Sequence, residues 1–202
     1  MDWTLLHALN DFLYRRDSIE DPLLLVVNLS EALFLGTLVL ICLAAHGERW
    51  ASWRRTAVAA GLSAGLGLAV GQVISGMVGR TRPFVADPSG VHLFSNHAAD
   101  ASFPSDHATA AVAIGVAILL RKRAWGIVAL TLALVISMGR VALGLHYPSD
   151  VFAGTILGTA AALALWAPPI RSRVDWLADF AGGVWDGLVD RAIRFVGLGR
   201  RA

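Results

Sequence analysis

PLLLVVNLSEALFLGTLVLICLAA, residues 22–45, decides the architecture. Apart from Glu31 it carries no ionisable carboxylate or base. At ~1.5 Å per residue a helix of this length covers about 36 Å, more than the ~30 Å hydrocarbon layer of a bilayer. Working outward, Thr56–Val78 is a second run of the same kind, and three shorter ones follow at Ser105–Leu120, Ala124–Gly139 and Val151–Ala167. A run of 16 residues covers only roughly 24 Å, so such spans need ends that are buried in protein or lengthened by their flanks. Composition agrees. Of 202 residues 56% are hydrophobic and 16% charged, against about 25% charged in a typical soluble domain, and mean hydropathy is +0.61. These values exclude a disordered chain and argue against a soluble globular domain. The expectation is an all-α, polytopic transmembrane helix bundle of five or six spans.

Loop charges set the orientation. Arg49, Arg54, Arg55, Arg121, Lys122, Arg123, Arg171, Arg173, Arg191, Arg194, Arg200 and Arg201 lie on one side, twelve of the 17 basic residues. The positive-inside rule turns that side to the cytoplasm, and Trp50, Trp53, Trp125 and Trp166 suit its interfacial belt. The two ends are amphipathic. Leu5, Leu9, Phe12 and Leu13 recur at helical spacing near the start; Leu177, Phe180, Val184, Leu188, Ala192 and Val196 do so near the end. Both read as helices lying in the interface plane. The expected division is one membrane-embedded domain over 1–202, with an interfacial segment 1–21, a bundle 22–167 and a cytoplasmic amphipathic tail 168–202. The start of the chain lacks a basic leader with a compact apolar core, so no cleavable signal peptide is expected. A net charge of +2 gives no reason to expect nucleic acid. The single Cys42, in an apolar run, excludes a disulfide framework.

This orientation gathers polar residues at the outer mouth. Gly79–Asp106 and Arg140–Asp150 together carry Arg80, Arg82, His92, His97, Asp106, His107, Arg140, His146 and Asp150. Charge within a membrane is expensive, so such a collection is a functional candidate. Arginine forks match phosphate oxygens; Arg82 and Arg140, with Arg80, are the candidate phosphate ligands. FPSDHA (103–108) reads as a helix start capped by Ser105, whose free N–H groups favour an anion. Two histidines can divide the chemistry of phosphoryl transfer, one attacking phosphorus and one protonating the leaving oxygen. His146, four residues before Asp150, is the nucleophile candidate, since a carboxylate on the far ring nitrogen fixes the tautomer. His107 is then the acid.

GRTRPF (79–84), FPSDHA (103–108) and GRVALGLHYPSD (139–150) resemble the three signature blocks of the type 2 phosphatidic acid phosphatase superfamily. Among its branches, the length, the five-span layout and the PSDH form are similar to the bacitracin-resistance-type undecaprenyl-diphosphatases. The resemblance implies a lipid phosphatase of the bacterial plasma membrane, with its site facing outward and its C-terminus cytoplasmic. It further implies hydrolysis of undecaprenyl diphosphate through a phosphohistidine, without metal or other cofactor. By position, His146, Asp150 and His107 resemble the catalytic group, and Arg82, Ser105 and Arg140 the phosphate ligands. Three positions depart from the pattern. Ser75 stands where the first block has Lys, Arg80 being the candidate for the missing charge. Gly139 precedes Arg140 where Ser is usual, with Ser137 as a candidate substitute. Asp106, beside the expected phosphate site, stands where Gly is common.

Other readings remain open on sequence. Phosphatidylglycerophosphate, phosphatidic acid or a lipid A phosphate are alternative substrates, and a membrane anion transporter is the alternative from another class. His92, His97, His107 and His146 as a metal set is a weaker reading, because no compact metal motif is present. His92 and His97 otherwise read as loop residues, and His7 and His46 as interfacial. Glu31, inside the first span, is either part of the site near Arg82 or Arg140 or an acid bonded to a neighbouring helix. Gln72 reads as helix-packing glue.

Overall fold

A computed structural model of the chain describes residues 2–195. Val196, Arg200 and Arg201 of the patterns above lie outside the described residues. Those described form an all-α membrane bundle: α1 (Asp2–Tyr14), α2 (Asp17–Ala44), α3 (Ala51–Val78), α4 (Pro83–Ala86), α5 (Asp106–Leu119), α6 (Arg123–Ala142), α7 (Pro148–Trp166) and α8 (Pro168–Phe195). A 3-10 turn at Glu48–Trp50 leads into α3. α2, α3, α6 and α7 are long and apolar enough to cross a membrane, and α5 is a shorter apolar helix.

The short spans resolve in two ways. α6 and α7 run to 20 and 19 residues: α6 continues past its apolar run through Arg140, Val141 and Ala142, and α7 begins before its run, at Pro148. α5 stays at 14 residues. It is the central helix, packed on α3, α6 and α7, so protein rather than lipid surrounds it. Most of its buried residues are small, Ala108, Thr109, Ala111, Ala113, Gly115 and Ala117, with Val112 and Ile114 the larger ones. Small side chains let helix axes approach closely in a bilayer, where packing rather than water exclusion drives association. At Gly158 of α7 a Cβ would run into the Thr109 carbonyl, and at Gly154 into the carbonyl of Ser105. The backbones of α5 and α7 therefore lie nearly in contact.

The two end helices differ from the simple amphipathic expectation. α1 buries Leu6, Asn10 and Leu13 against the outer rim, whereas Leu5 and Phe12 point away from the bundle. The polar Asn10 is its anchor: the amide donates to the carbonyls of His92 (2.9 Å) and Ala142 (2.8 Å) and accepts from the His92 N–H (2.8 Å). α2 begins at Asp17, inside the stretch 1–21 expected to be interfacial. α8 presents its polar face to the protein. Asp175, Asp179 and Asp186 pair with Arg121 (2.7 Å), Arg55 (2.7 Å) and Arg54 (3.0 Å), and Asp186 and Asp190 flank His46. Leu177, Phe180, Val184 and Leu188 face outward. Charge thus attaches α8 to the basic rim while its apolar stripe is left for lipid.

Candidate active site

Two helix starts and one helix end build the site. At α5 the Ser105 hydroxyl accepts from the Ala108 N–H (3.5 Å), which puts Asp106 and His107 in the first turn. At α7 the Asp150 carboxylate reaches back to the Tyr147 N–H (2.9 Å), with Pro148 opening the helix. The Ser105 N–H donates to the Asp150 carbonyl (3.1 Å), joining the two starts. Arg140 lies in the last turn of α6. The chain then reverses through Gly144 at φ +74°, a conformation suited to glycine, and the His146 N–H returns to the Arg140 carbonyl (3.2 Å).

These elements enclose a cavity of about 230 Å³ lined by Glu31, Gln72, Ser75, Arg82, His97, Asp100, Ala101, Pro104, Asp106, His107, Arg140 and His146. His146 is 2% exposed. Its Nδ1 lies 2.8 Å from the Ser102 carbonyl. A carbonyl can only accept, so Nδ1 carries the hydrogen and Nε2 presents a lone pair. Around Nε2 stand two groups that can only donate, Arg82 Nη1 at 3.1 Å and Arg140 Nη2 at 3.3 Å. Burial, reinforced by the two guanidinium charges and opposed by Asp150, pulls the His146 pKa down to about 4. The ring is therefore neutral at pH 7.

Arg82 also donates through Nη1 to the Leu145 carbonyl (3.0 Å) and through Nε to Asp100 (2.7 Å). Asp100 is pulled below its usual range: burial alone would raise it, but the Arg82 bond outweighs that. His97 Nε2 lies 3.1 Å from Arg140 Nη2, and burial lowers the His97 pKa. His107 points Nε2 at Glu31 Oε1, 3.1 Å away. Asp106 lines the cavity and accepts from Gln72 (2.9 Å), which turns it toward α3.

Several expected contacts differ. Asp150 does not orient His146 by a hydrogen bond: its carboxylate is 3.8 Å from Nδ1, and the Ser102 carbonyl takes that place. Fully buried Asp150 instead holds Arg80 (2.7 Å). Arg80 is drawn away from the cavity for the same reason. It bonds Asp150, Ser149 (2.7 Å) and Asp2 (3.0 Å), with its guanidinium 3.8 Å over the Tyr147 ring. Ser105 is completely buried, its hydroxyl engaged as the α5 cap, and it does not line the cavity. Ser75, standing at the lysine position, does. Ser137 lies buried with no hydrogen-bond partner among the described residues. His92 stacks on Tyr14 with ring centroids 3.7 Å apart, away from the cavity. Among the described residues no three His, Cys, Asp or Glu side chains are grouped to hold a metal ion.

The sequence places His97 at the outer mouth but reads it as a loop residue, and it does not single out Asp100 as a cavity residue or Ser102 as the partner of His146. His97 and Asp100 sit in a loop between signature blocks, where only their residue types mark them. Ser102 acts through its carbonyl, which any residue would supply.

Residues 56–172 match the PAP2 superfamily, the three blocks among them. The chain is 39% identical over 104 residues to the undecaprenyl-diphosphatase BcrC of Bacillus subtilis, covering 52% of this chain and 53% of that one. It is 39% identical over 84 residues to a lipid A 1-phosphatase of Rhizobium etli, covering 40% and 36%. The chain thus spans about half or less of the length of these curated relatives. The fold is similar to that in the crystal structure of Aquifex aeolicus LpxE, with a TM-score of 0.69 at 18% identity over 81% of this chain and 93% of the other. With the family match covering more than half the sequence and all three blocks meeting at one cavity, the chain belongs to the PAP2 superfamily.

Proposed function

We propose that this protein is a lipid phosphatase that hydrolyses undecaprenyl diphosphate to undecaprenyl phosphate and orthophosphate at the outer face of a bacterial plasma membrane. The observation that carries this reading is the lone pair of a neutral His146 held between Arg82 and Arg140, in the cavity that also receives His107.

The terminal phosphoryl group lies against Arg82 and Arg140, whose donors neutralise its oxygens. His146 Nε2 attacks phosphorus, and the bond from phosphorus to the bridging oxygen breaks. The electron pair leaves with that oxygen, which takes a proton from His107. Water then attacks the phosphohistidine, giving a proton to His107; the bond from phosphorus to Nε2 breaks, its electron pair returns to His146, and orthophosphate departs. The attack makes the His146 ring cationic. The Ser102 carbonyl keeps the hydrogen on Nδ1, and the Asp150 charge at 3.8 Å favours the cation through space. Arg80 holds Asp150 and does not touch phosphate; Ser105 shapes the α5 start instead of ligating. This route assigns nucleophile, acid and phosphate ligands to side chains of the chain itself and passes through no metal. The basic rim around Arg54, Arg55 and Arg121 supports a cytoplasmic α8 and an outward-facing site.

Phosphate release from undecaprenyl diphosphate in detergent, in the presence of EDTA, tests the reading. The wild type turns over, and His146→Ala loses about 10³-fold or more. Undiminished turnover in the variant removes the nucleophile, and EDTA-sensitive turnover removes the metal-free route. The similarity to the Rhizobium lipid A 1-phosphatase supports a second substrate class. A panel that includes lipid A, phosphatidylglycerophosphate and phosphatidic acid ranks them by kcat/KM.

A further inference from the structure

Glu31 stands alone as a carboxylate in the apolar run of α2, and neither the attack on phosphorus nor the arginine cradle uses it. Its side chain is 67% exposed, yet Oε1 lies 3.1 Å from His107 Nε2. An ionisable group within a span is expensive, so one whose carboxylate meets a cavity imidazole calls for an account. The cavity that holds His107 also receives Arg82, His97 and Asp100 from the segment between α3 and α5, Arg140 from α6, His146 from the α6–α7 turn, Asp106 from α5 itself and Glu31 from α2; Asp100 is engaged by Arg82. The two guanidinium groups make this surrounding hostile to a positive ring. Asp106 is taken up by Gln72. Glu31 is the carboxylate in direct contact with the ring.

We propose that Glu31 is the positioning residue that keeps His107 protonated in the free enzyme and aims it at the leaving group; this rests on the lipid phosphatase reading above. With Nε2–H bonded to Glu31, Nδ1–H is the proton that remains to be given. As the phosphorus–oxygen bond breaks, that proton passes from Nδ1 to the leaving oxygen and the bond's electron pair goes with the oxygen. His107 is left neutral with its Nε2–H still on Glu31. The proton of the attacking water restores Nδ1–H in the second step, and Glu31 itself neither gains nor loses a proton. α2 thereby tunes the acid without touching phosphate.

The pH dependence of kcat/KM reports the ionisations of the free enzyme, which makes it the readout. Glu31→Gln keeps the shape and removes the charge, so the His107 imidazolium loses its counter-ion. The basic limb then moves down by about one pH unit or more. Activity of Glu31→Gln falls at pH 8 and recovers on acidification, and Glu31→Asp restores the limb part of the way. The loss is smaller for p-nitrophenyl phosphate, whose leaving group needs no proton, than for phosphatidic acid, whose leaving alkoxide does. A basic limb unmoved in Glu31→Gln, or an equal loss at every pH and for both leaving groups, overturns the proposal. Should Glu31→Gln fail to fold in detergent, Glu31→Asp decides: a limb identical to wild type overturns it. Wild-type enzyme that releases no phosphate sinks the phosphatase reading itself; active wild type with an unshifted variant sinks only the role of Glu31.

Discussion

The Ser102 carbonyl and the two guanidinium groups around His146 act on opposite ring nitrogens, one fixing the hydrogen and the others drawing the lone pair into the cavity. The low His146 pKa has a signed consequence. Protonation at about pH 4 rather than at the usual 6.5 means the neutral ring is favoured in the folded state. That contribution to stability is present above pH 6.5 and lost as pH falls toward 4. For activity, the acidic limb belonging to the enzyme lies near pH 4; it is the limb that stays in place when kcat/KM is measured with two substrates of different phosphate pKa. The two first-block arginines separate in the same assay. Arg82→Ala, which removes one of the two guanidinium groups of the cradle, lowers kcat/KM by about 10²–10³-fold. Arg80→Ala leaves fully buried Asp150 without its cation, so it lowers the unfolding free energy in detergent by about 3 kcal/mol, with kcat falling more than KM rises. Residue types at this scale were legible: His146, His107, Arg82 and Arg140 were identified from spacing and motif, and all four line one cavity. Their contacts were not. Whether Asp150 meets His146 or Arg80 depends on a fraction of a helical turn, and the Ser102 carbonyl has no signature in any alphabet of side chains.

At the scale of elements, the short α5 and the inverted α8 carry the lesson. Apolar runs located every membrane-crossing helix, because the bilayer demands continuous hydrophobicity. Length alone could not say that the shortest would sit at the centre, where lipid thickness does not constrain it. The periodicity of α8 located its apolar stripe, but the partner of the opposite face is a tertiary matter. Here Arg54 is 6% exposed and donates to the Ala45 carbonyl (2.8 Å) as well as to Asp186. Asp186→Asn strips a buried guanidinium of its carboxylate, whereas Asp190 is half exposed at the rim. Thermal unfolding in detergent separates the two: Asp186→Asn costs about 2–3 kcal/mol, and Asp190→Asn less than about 0.5 kcal/mol.

For the whole molecule, charge asymmetry between the two rims gives an orientation that cells can report. In a background with Cys42 replaced by Ala, Asn96→Cys in the exposed loop over the site reacts with a membrane-impermeant maleimide added to intact cells. Ser172→Cys, exposed on α8, reacts only after permeabilisation. Mass-tag gel shifts read both, and the reverse pattern inverts the topology. The three signature blocks lie apart in the chain; the second and third meet because α5 and α7 begin side by side, and Arg82 brings in the first through the Leu145 carbonyl and His146. That meeting has a cause below the phosphate. Where Gly154 and Gly158 let one backbone rest on the other, the gap between the two imidazoles is set by the absence of side chains along the first turns of the α5–α7 contact. Spacing of the reacting groups is thus a property of the bundle's interior, like the pivot of a pair of tongs. A single methyl group at the pivot would spread the jaws, and a compound that wedged there would disable the catalyst while leaving the phosphate pocket empty.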